Sequence, residues 1–200
     1  SPRDWSSDVC SSDLQVDGTP PVCTVTIAGG APYVGAASVT LTVTTNKTNT
    51  TKLMLNNESA DDSTWEDWSP SGALSISYAW TLNTVLPDGG RTVYVKLKDA
   101  ATNVSAWCND ETSLDRTPPI AVAAPTTTTP TNNTRPIWTW PAATDALSGI
   151  RTTNAYEVYW RKADDSVTGS AFVNTNSFEM PTALADYTWH FKVRSYDAVN

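Results

Sequence analysis

Side-chain catalysis of hydrolysis or group transfer needs a general base beside a nucleophile, and this chain has a single histidine to offer. His190 falls in the alternating run WHFKVRS, where its phase places it outward with Lys192 and Arg194. No Ser/His/Asp or Cys/His machine can be assembled around it, so no catalytic residue is assigned and the chain is read as a non-enzyme. Zinc requires clustered Cys and His, which are absent. Carboxylates are more plentiful: Glu58, Asp61, Asp62, Glu66 and Asp67 crowd one segment, and oxygen-rich loops suit calcium. Their spacing fits no EF-hand, and a solvated acidic loop is the favoured reading, so neither a metal nor a cofactor is assigned. Trp65, Trp68, Trp107 and Trp160 are the residues on which a sugar ring could stack, and the first two flank Glu66-Asp67. Packing into a small core is the competing role, and the preferred one.

The elements that would position these residues are strands. Thr, Ser, Asn, Pro and β-branched residues dominate, and no stretch sustains a helical period. The formal charge is −8 with a pI near 4.5 and no basic stripe, which argues against nucleic acid as a partner. No apolar run approaches the roughly 18 residues needed to span a bilayer.

The chain also repeats itself. TVYVKLKDAATN, Thr92 to Asn103, returns as FKVRSYDAVN, Phe191 to Asn200, with Asp99 falling on Asp197 at a displacement of 197 − 99 = 98. Asp17-Gly18-Thr19-Pro20-Pro21 returns as Asp115-Arg116-Thr117-Pro118-Pro119 at the same 98. Two motifs sharing one offset mark tandem copies of a unit about a hundred residues long. The expected organisation is a tail over 1–16, a first β-sandwich over 17–115 and a second over 116–200. In the first, strands are expected over Cys23 to Ile27, Ser38 to Thr44, Lys52 to Asn56, about Leu74 to Leu82, from Thr92, and a closing strand over Val104 to Asn109. In the second they are expected over Ile137 to Trp140, Tyr156 to Arg161, Ala171 to Val173, Ser177 to Met180 and Tyr187 to Tyr196. The Thr- and Pro-rich run from Pro125 to Pro136 is read as an opening strand and loop in preference to a mucin-like spacer. The counterpart of the closing strand is missing, so the second sandwich is expected to lack its last strand.

Asp4 to Leu14, DWSSDVCSSDL, resembles the in-frame translation of a short-read sequencing adapter and is set aside as foreign; a genuine Ser/Asp-rich linker is the other reading. That leaves Cys23 and Cys108, each sharing an inward face with apolar neighbours. They are read either as a disulfide closing nearly the whole first unit, which is favoured and implies an oxidising compartment, or as two buried thiols.

With these residues in view, the chain resembles the tandem bacterial immunoglobulin-like domains of large secreted and cell-surface proteins. TPPVCTVTIAGGAPYV, SVTLTVT, STWEDWSP and RTVYVKLKDAATNVS carry the likeness in the first unit. YEVYWRKA and LADYTWHFKVRSYDAVN make the second resemble a variety closer to fibronectin type III. The resemblance implies two tandem immunoglobulin-like β-sandwiches in an extracellular or cell-surface setting. It implies neighbouring repeats as partners, with surface glycans or proteins as further candidates. Thr102 departs from the pattern, standing where such domains carry Gly in a D-A-x-G-N turn, so a less tight turn is expected there. The function expected is that of a non-catalytic spacer or interaction repeat of an adhesin-like protein. The alternative is a carbohydrate-binding accessory module of a secreted polysaccharide-degrading enzyme.

Overall fold

Alternation of β-branched or apolar residues with Thr, Ser and Lys makes half-buried strands, and thirteen form in the computed structural model, which describes residues 16–127 and 131–199. The tail expected over 1–16 and its adapter-like segment lie outside the described residues, except for Val16. In chain order the strands are β1 (Cys23–Ile27), β2 (Tyr33–Val34), β3 (Ser38–Thr45), β4 (Thr50–Asn57), β5 (Glu66–Asp67), β6 (Ser75–Thr81) and β7 (Gly89–Asp99). There follow β8 (Cys108–Leu114), β9 (Ile137–Thr139), β10 (Tyr156–Lys162), β11 (Thr168–Val173), β12 (Ser177–Glu179) and β13 (Trp189–Ser195).

The first eight make two sheets, ordered β1-β3-β6 and β2-β8-β7-β4-β5, antiparallel except for the β2–β8 pair. Their inner faces meet in one core holding Ile27, Leu41, Val43, Leu53 and, from β7, Val93, Val95 and Leu97, all fully buried. In β7 these three alternate with Tyr94, Lys96 and Lys98, so they share the one face that turns inward. The last five strands repeat the plan with β9-β12 facing β11-β10-β13; of the opening strand expected in the Thr/Pro-rich run, the described residues show only an isolated bridge from Thr126 to Thr139. Their core is separate and aromatic. Trp138 stacks on Phe191 at 4.8 Å, Trp160 on Phe178 at 5.3 Å, and Trp140 meets Tyr156 edge-on. Gly169 makes room for this core, since a Cβ there would collide with the Trp160 indole.

Two expectations need correcting. The closing strand of the first unit is Cys108–Leu114, not Val104 to Asn109; Val104 makes only an isolated bridge to Lys98. The run CNDETSL looks like a loop because it is polar. β7, however, is eleven residues long and offers an unpaired edge, so Gly89 to Val95 pair with Leu114 to Cys108. Burial of Leu114, and the Thr112 hydroxyl donating to Ala31 O at 2.8 Å, hold the strand there. Thr102 does not loosen its turn. It takes φ 70°, the left-handed conformation a Gly would take, and donates its amide to Asp99 O at 3.1 Å. In the second unit β13 pairs with β10 alone, so among the described residues nothing covers its other edge.

Candidate functional site

Asp17 and Asp99, the repeated aspartates, meet in the first unit. Asp17 precedes β1, Asp99 ends β7, and the β3–β4 connection brings Lys47 between them. Lys47 Nζ lies 2.8 Å from both Asp17 oxygens and 2.9 Å from Asp99 Oδ2, and it also donates to Thr19 O. Around this trio Asn103 Nδ2 donates to Asp17 O at 2.8 Å and to Asp99 Oδ2 at 3.0 Å. The Thr19 amide donates to Asp17 Oδ1 at 3.1 Å. The hydrogen bond from Lys47, above all, holds the Asp17 carboxyl down at about 2. Burial opposes ionisation of Asp99, yet hydrogen bonds from Asn103 and Lys47 outweigh it and keep its carboxyl below the usual range. The same pairing raises the Lys47 ammonium above the ordinary lysine value. This node ties the start of the unit to the end of its longest strand.

The second unit builds the same corner with a different member. Asp115 stands where Asp17 stood and Asp197 where Asp99 stood, and the β9–β10 connection delivers Asp145. One carboxylate oxygen from each lies within 4.8 Å of the other two; Asp115 and Asp197 are buried, and Asp145 half-buried. Backbone amides orient all three. Thr117 and Ser148 donate to Asp115 Oδ1 and Oδ2 at 3.2 and 3.0 Å. Leu147 and Gly149 donate to Asp145 Oδ1 at 3.0 and 2.9 Å, and Val199 donates to Asp197 Oδ1 at 2.9 Å. The Thr117 contact copies the Thr19 contact of the first unit. The connection itself is longer in the second copy: Ala100 N bonds to Asn49 O, but Ala198 N bonds to Gly149 O, 149 − 49 = 100 residues on. The extra length falls after Asp145 and supplies the amides that hold it.

Sequence reasoning paired Asp17 with Asp115 and Asp99 with Asp197 but missed Asp145. The signal was available, since 47 + 98 = 145. It was hidden because Lys and Asp look unrelated until their positions between the same two partners are seen.

The residues singled out from sequence are dispersed. Cys23 and Cys108 form a disulfide with Cα atoms 5.9 Å apart, joining β1 to β8 across the two sheets. Trp68 is buried at 4 % exposure and donates Nε1–H to Ala73 O at 3.0 Å. Trp65 is half-buried under the Lys98 ammonium, 4.2 Å from its ring. Trp68 therefore has no face to offer, and the two make no flat platform. The acidic segment does not converge either. Asp62 pairs with Lys96 at 3.0 Å, Asp67 pairs with Lys52, and Glu66 accepts from Tyr78, whose hydroxyl that bond pushes up to about 12. Among the described residues, Asp115, Asp145 and Asp197 are the one set of three Asp, Glu, His or Cys side chains whose ligand atoms come together. His190 is exposed.

No protein-family model matches the chain, and no curated protein matches it. Comparison with solved structures returns the chicken CNTN1 FN1-FN3 domains at a TM-score of 0.44 and 12% identity, over 94% of this chain and 66% of that one. The chain thus spans just under two thirds of the length of that neighbour.

Proposed function

We propose that these are non-catalytic spacer repeats of a large extracellular or cell-surface protein, each unit held by its own core and the pair set at a defined reach. The observation that carries this reading is the bonded joint. Asp88, in the β6–β7 loop, accepts from Arg116 N and Nε at 2.8 and 2.7 Å and from the Thr117 hydroxyl at 2.8 Å. The hydrogen bonds from Arg116, first among several, hold the Asp88 carboxyl at about 2. On the far side the Ser148 amide reaches back to Asp115, and the Ile120 amide bonds to Thr144 O at 2.9 Å. Pro118 and Pro119 restrict the residues between. A joint bonded at both ends transmits orientation, which a flexible tether does not.

Small-angle X-ray scattering of the chain tests this. The expected result is a two-lobed distance distribution with a narrow maximum dimension, broadened in Asp88→Ala. Wild-type scattering that already fits two freely jointed bodies refutes the spacer reading. A glycan panel is the second arm: binding that Trp65→Ala abolishes would move the assignment to a sugar-binding accessory module.

A further inference from the structure

Strand β13 differs from its counterpart β7 in having an open edge. In the first unit β7 lies between β4 and β8; in the second, β13 has β10 on one side and, among the described residues, nothing on the other. At the far end of that sheet β11 corresponds to β5, which is an edge strand in the first unit as well. Hydrogen bonds from Ala163 N to Thr188 O and from Tyr196 N to Ala155 O fix the phase of the β10–β13 ladder. Even-numbered residues of β13 therefore bond β10, and the amides and carbonyls of Trp189, Phe191, Val193 and Ser195 point to the open side. The first three stand, at 189 − 91 = 98, where Arg91, Val93 and Val95 exchange bonds with Thr112, Asp110 and Cys108 of β8. We propose that this edge binds an extended segment of a partner polypeptide, added antiparallel as β8 is added to β7, in which apolar and acidic residues alternate.

The two faces of β13 set the partner's chemistry. Inward, Phe191 and Val193 are only half-buried, whereas Val93 and Val95, their counterparts beside β8, are fully buried. Phe191 stacks on Trp138 at 4.8 Å, so apolar side chains of an added strand would extend an aromatic core that already exists. Outward, His190, Lys192 and Arg194 are exposed, and none of them forms an ion pair among the described residues. Across β10 they face Arg161, Tyr159 and Glu157; Arg161 pairs with Asp165, and Glu157 accepts from the Tyr196 hydroxyl. An added strand sets alternate side chains directly opposite the three basic residues, where carboxylates are favoured. β8 shows part of this pattern, since its Glu111 and Asn109 lie opposite Thr92 and Tyr94, the counterparts of His190 and Lys192. The same charges turn away a second copy of this chain, because antiparallel self-pairing centred on Lys192 or Val193 sets Lys192 against itself or against Arg194. This inference does not rest on the spacer reading, and its test is separate from the scattering experiment.

The probe is the peptide Glu-Val-Glu-Val-Glu-Val-Glu. Added antiparallel, its valines lie opposite Val193, Phe191 and Trp189 while its leading glutamates lie opposite Arg194, Lys192 and His190. Amide hydrogen exchange of the whole chain, followed by NMR, should slow about tenfold at Trp189, Phe191 and Val193 when the peptide stands at ten times its dissociation constant. Lys-Val-Lys-Val-Lys-Val-Lys should bind at least about tenfold more weakly, and the double variant Lys192→Glu/Arg194→Glu should reverse that order. Both positions are exposed, so the variant keeps the core intact. Methylating the valine nitrogens removes the peptide donors that face β13 and should abolish the protection. Protection that survives N-methylation, or a peptide preference unmoved by the charge reversal, overturns the proposal. Exchange unchanged by the glutamate peptide at about 1 mM overturns it too. A dimer in sedimentation that shields the same amides would do the same, because the edge would then be taken by a second copy.

Discussion

Arg91 is the residue whose loss should cost the first unit most. It lies on β7 and is 2 % exposed, an unusual place for a guanidinium. Its three nitrogens donate to five carbonyls of the loop that leads back into its own strand. These are Asn83 O at 2.7 Å, Leu86 O at 3.0 Å, Pro87 O at 2.7 Å, Gly89 O at 3.2 Å and Gly90 O at 2.8 Å. Glu58 Oε1, buried and without a hydrogen bond of its own, lies 3.9 Å from Arg91 Nε. The planar fork explains why arginine is used, since lysine has three donors from one point and cannot reach five acceptors. Arg91→Met keeps most of the aliphatic volume and removes every donor. Some carbonyls recover water, because Thr84 to Pro87 are exposed, but Glu58 loses its cation and the loop its centre. Breaking a buried charged network of this kind costs about 3–5 kcal/mol. For a unit of about a hundred residues that corresponds to a fall in melting temperature of at least about 12 °C. Differential scanning calorimetry measures it directly, and the second unit's transition should stay in place because its core is separate. Arg91→Lys should fall between wild type and Arg91→Met. If Arg91→Met melts within about 3 °C of wild type, the guanidinium is not organising the loop and the reasoning fails.

Three further outcomes are expected. Thr102→Gly should stabilise the first unit by about 1 kcal/mol in urea denaturation, since a β-branched residue at φ 70° is strained and Gly is not; a loss of stability counts against that account. Replacing both Cys23 and Cys108 by Ser opens a closure spanning 85 residues and should cost roughly 4 kcal/mol, read as a lower urea midpoint for the first unit only. Acid should weaken the first unit in a defined window. Asp17 and Asp88 titrate at about 2 when folded, below the ordinary carboxylate value of about 3.9. Their contribution is therefore complete above about pH 4 and disappears as the pH falls towards 2. Denaturation midpoints at pH 5, 3 and 2 should fall less steeply in Asp17→Asn/Asp88→Asn than in wild type, and parallel slopes would contradict the assignment.

Local pattern alone determined most of the strands, the repeat and the inward face of β7. A residue's side in a strand depends only on its parity, so Val93, Val95 and Leu97 could be placed in the core before any fold was known. The common offset of 98 likewise revealed two units, because a repeated unit keeps its spacing whatever it packs against. What parity and spacing do not carry is the partner. Cys108–Leu114 is a strand only because the long edge of β7 has hydrogen bonds to offer, and that edge is non-local. Trp68 and Trp65 are three residues apart, yet one fills the core and the other lies under a lysine. The aspartate corner of the second unit depends most on folding. Asp115, Asp145 and Asp197 are 30 and 52 residues apart in turn, and nothing in the sequence between them has an acidic motif's spacing. Only the closure of a sandwich, which brings the end of β8, the β9–β10 connection and the end of β13 to one point, makes three scattered aspartates a single cluster.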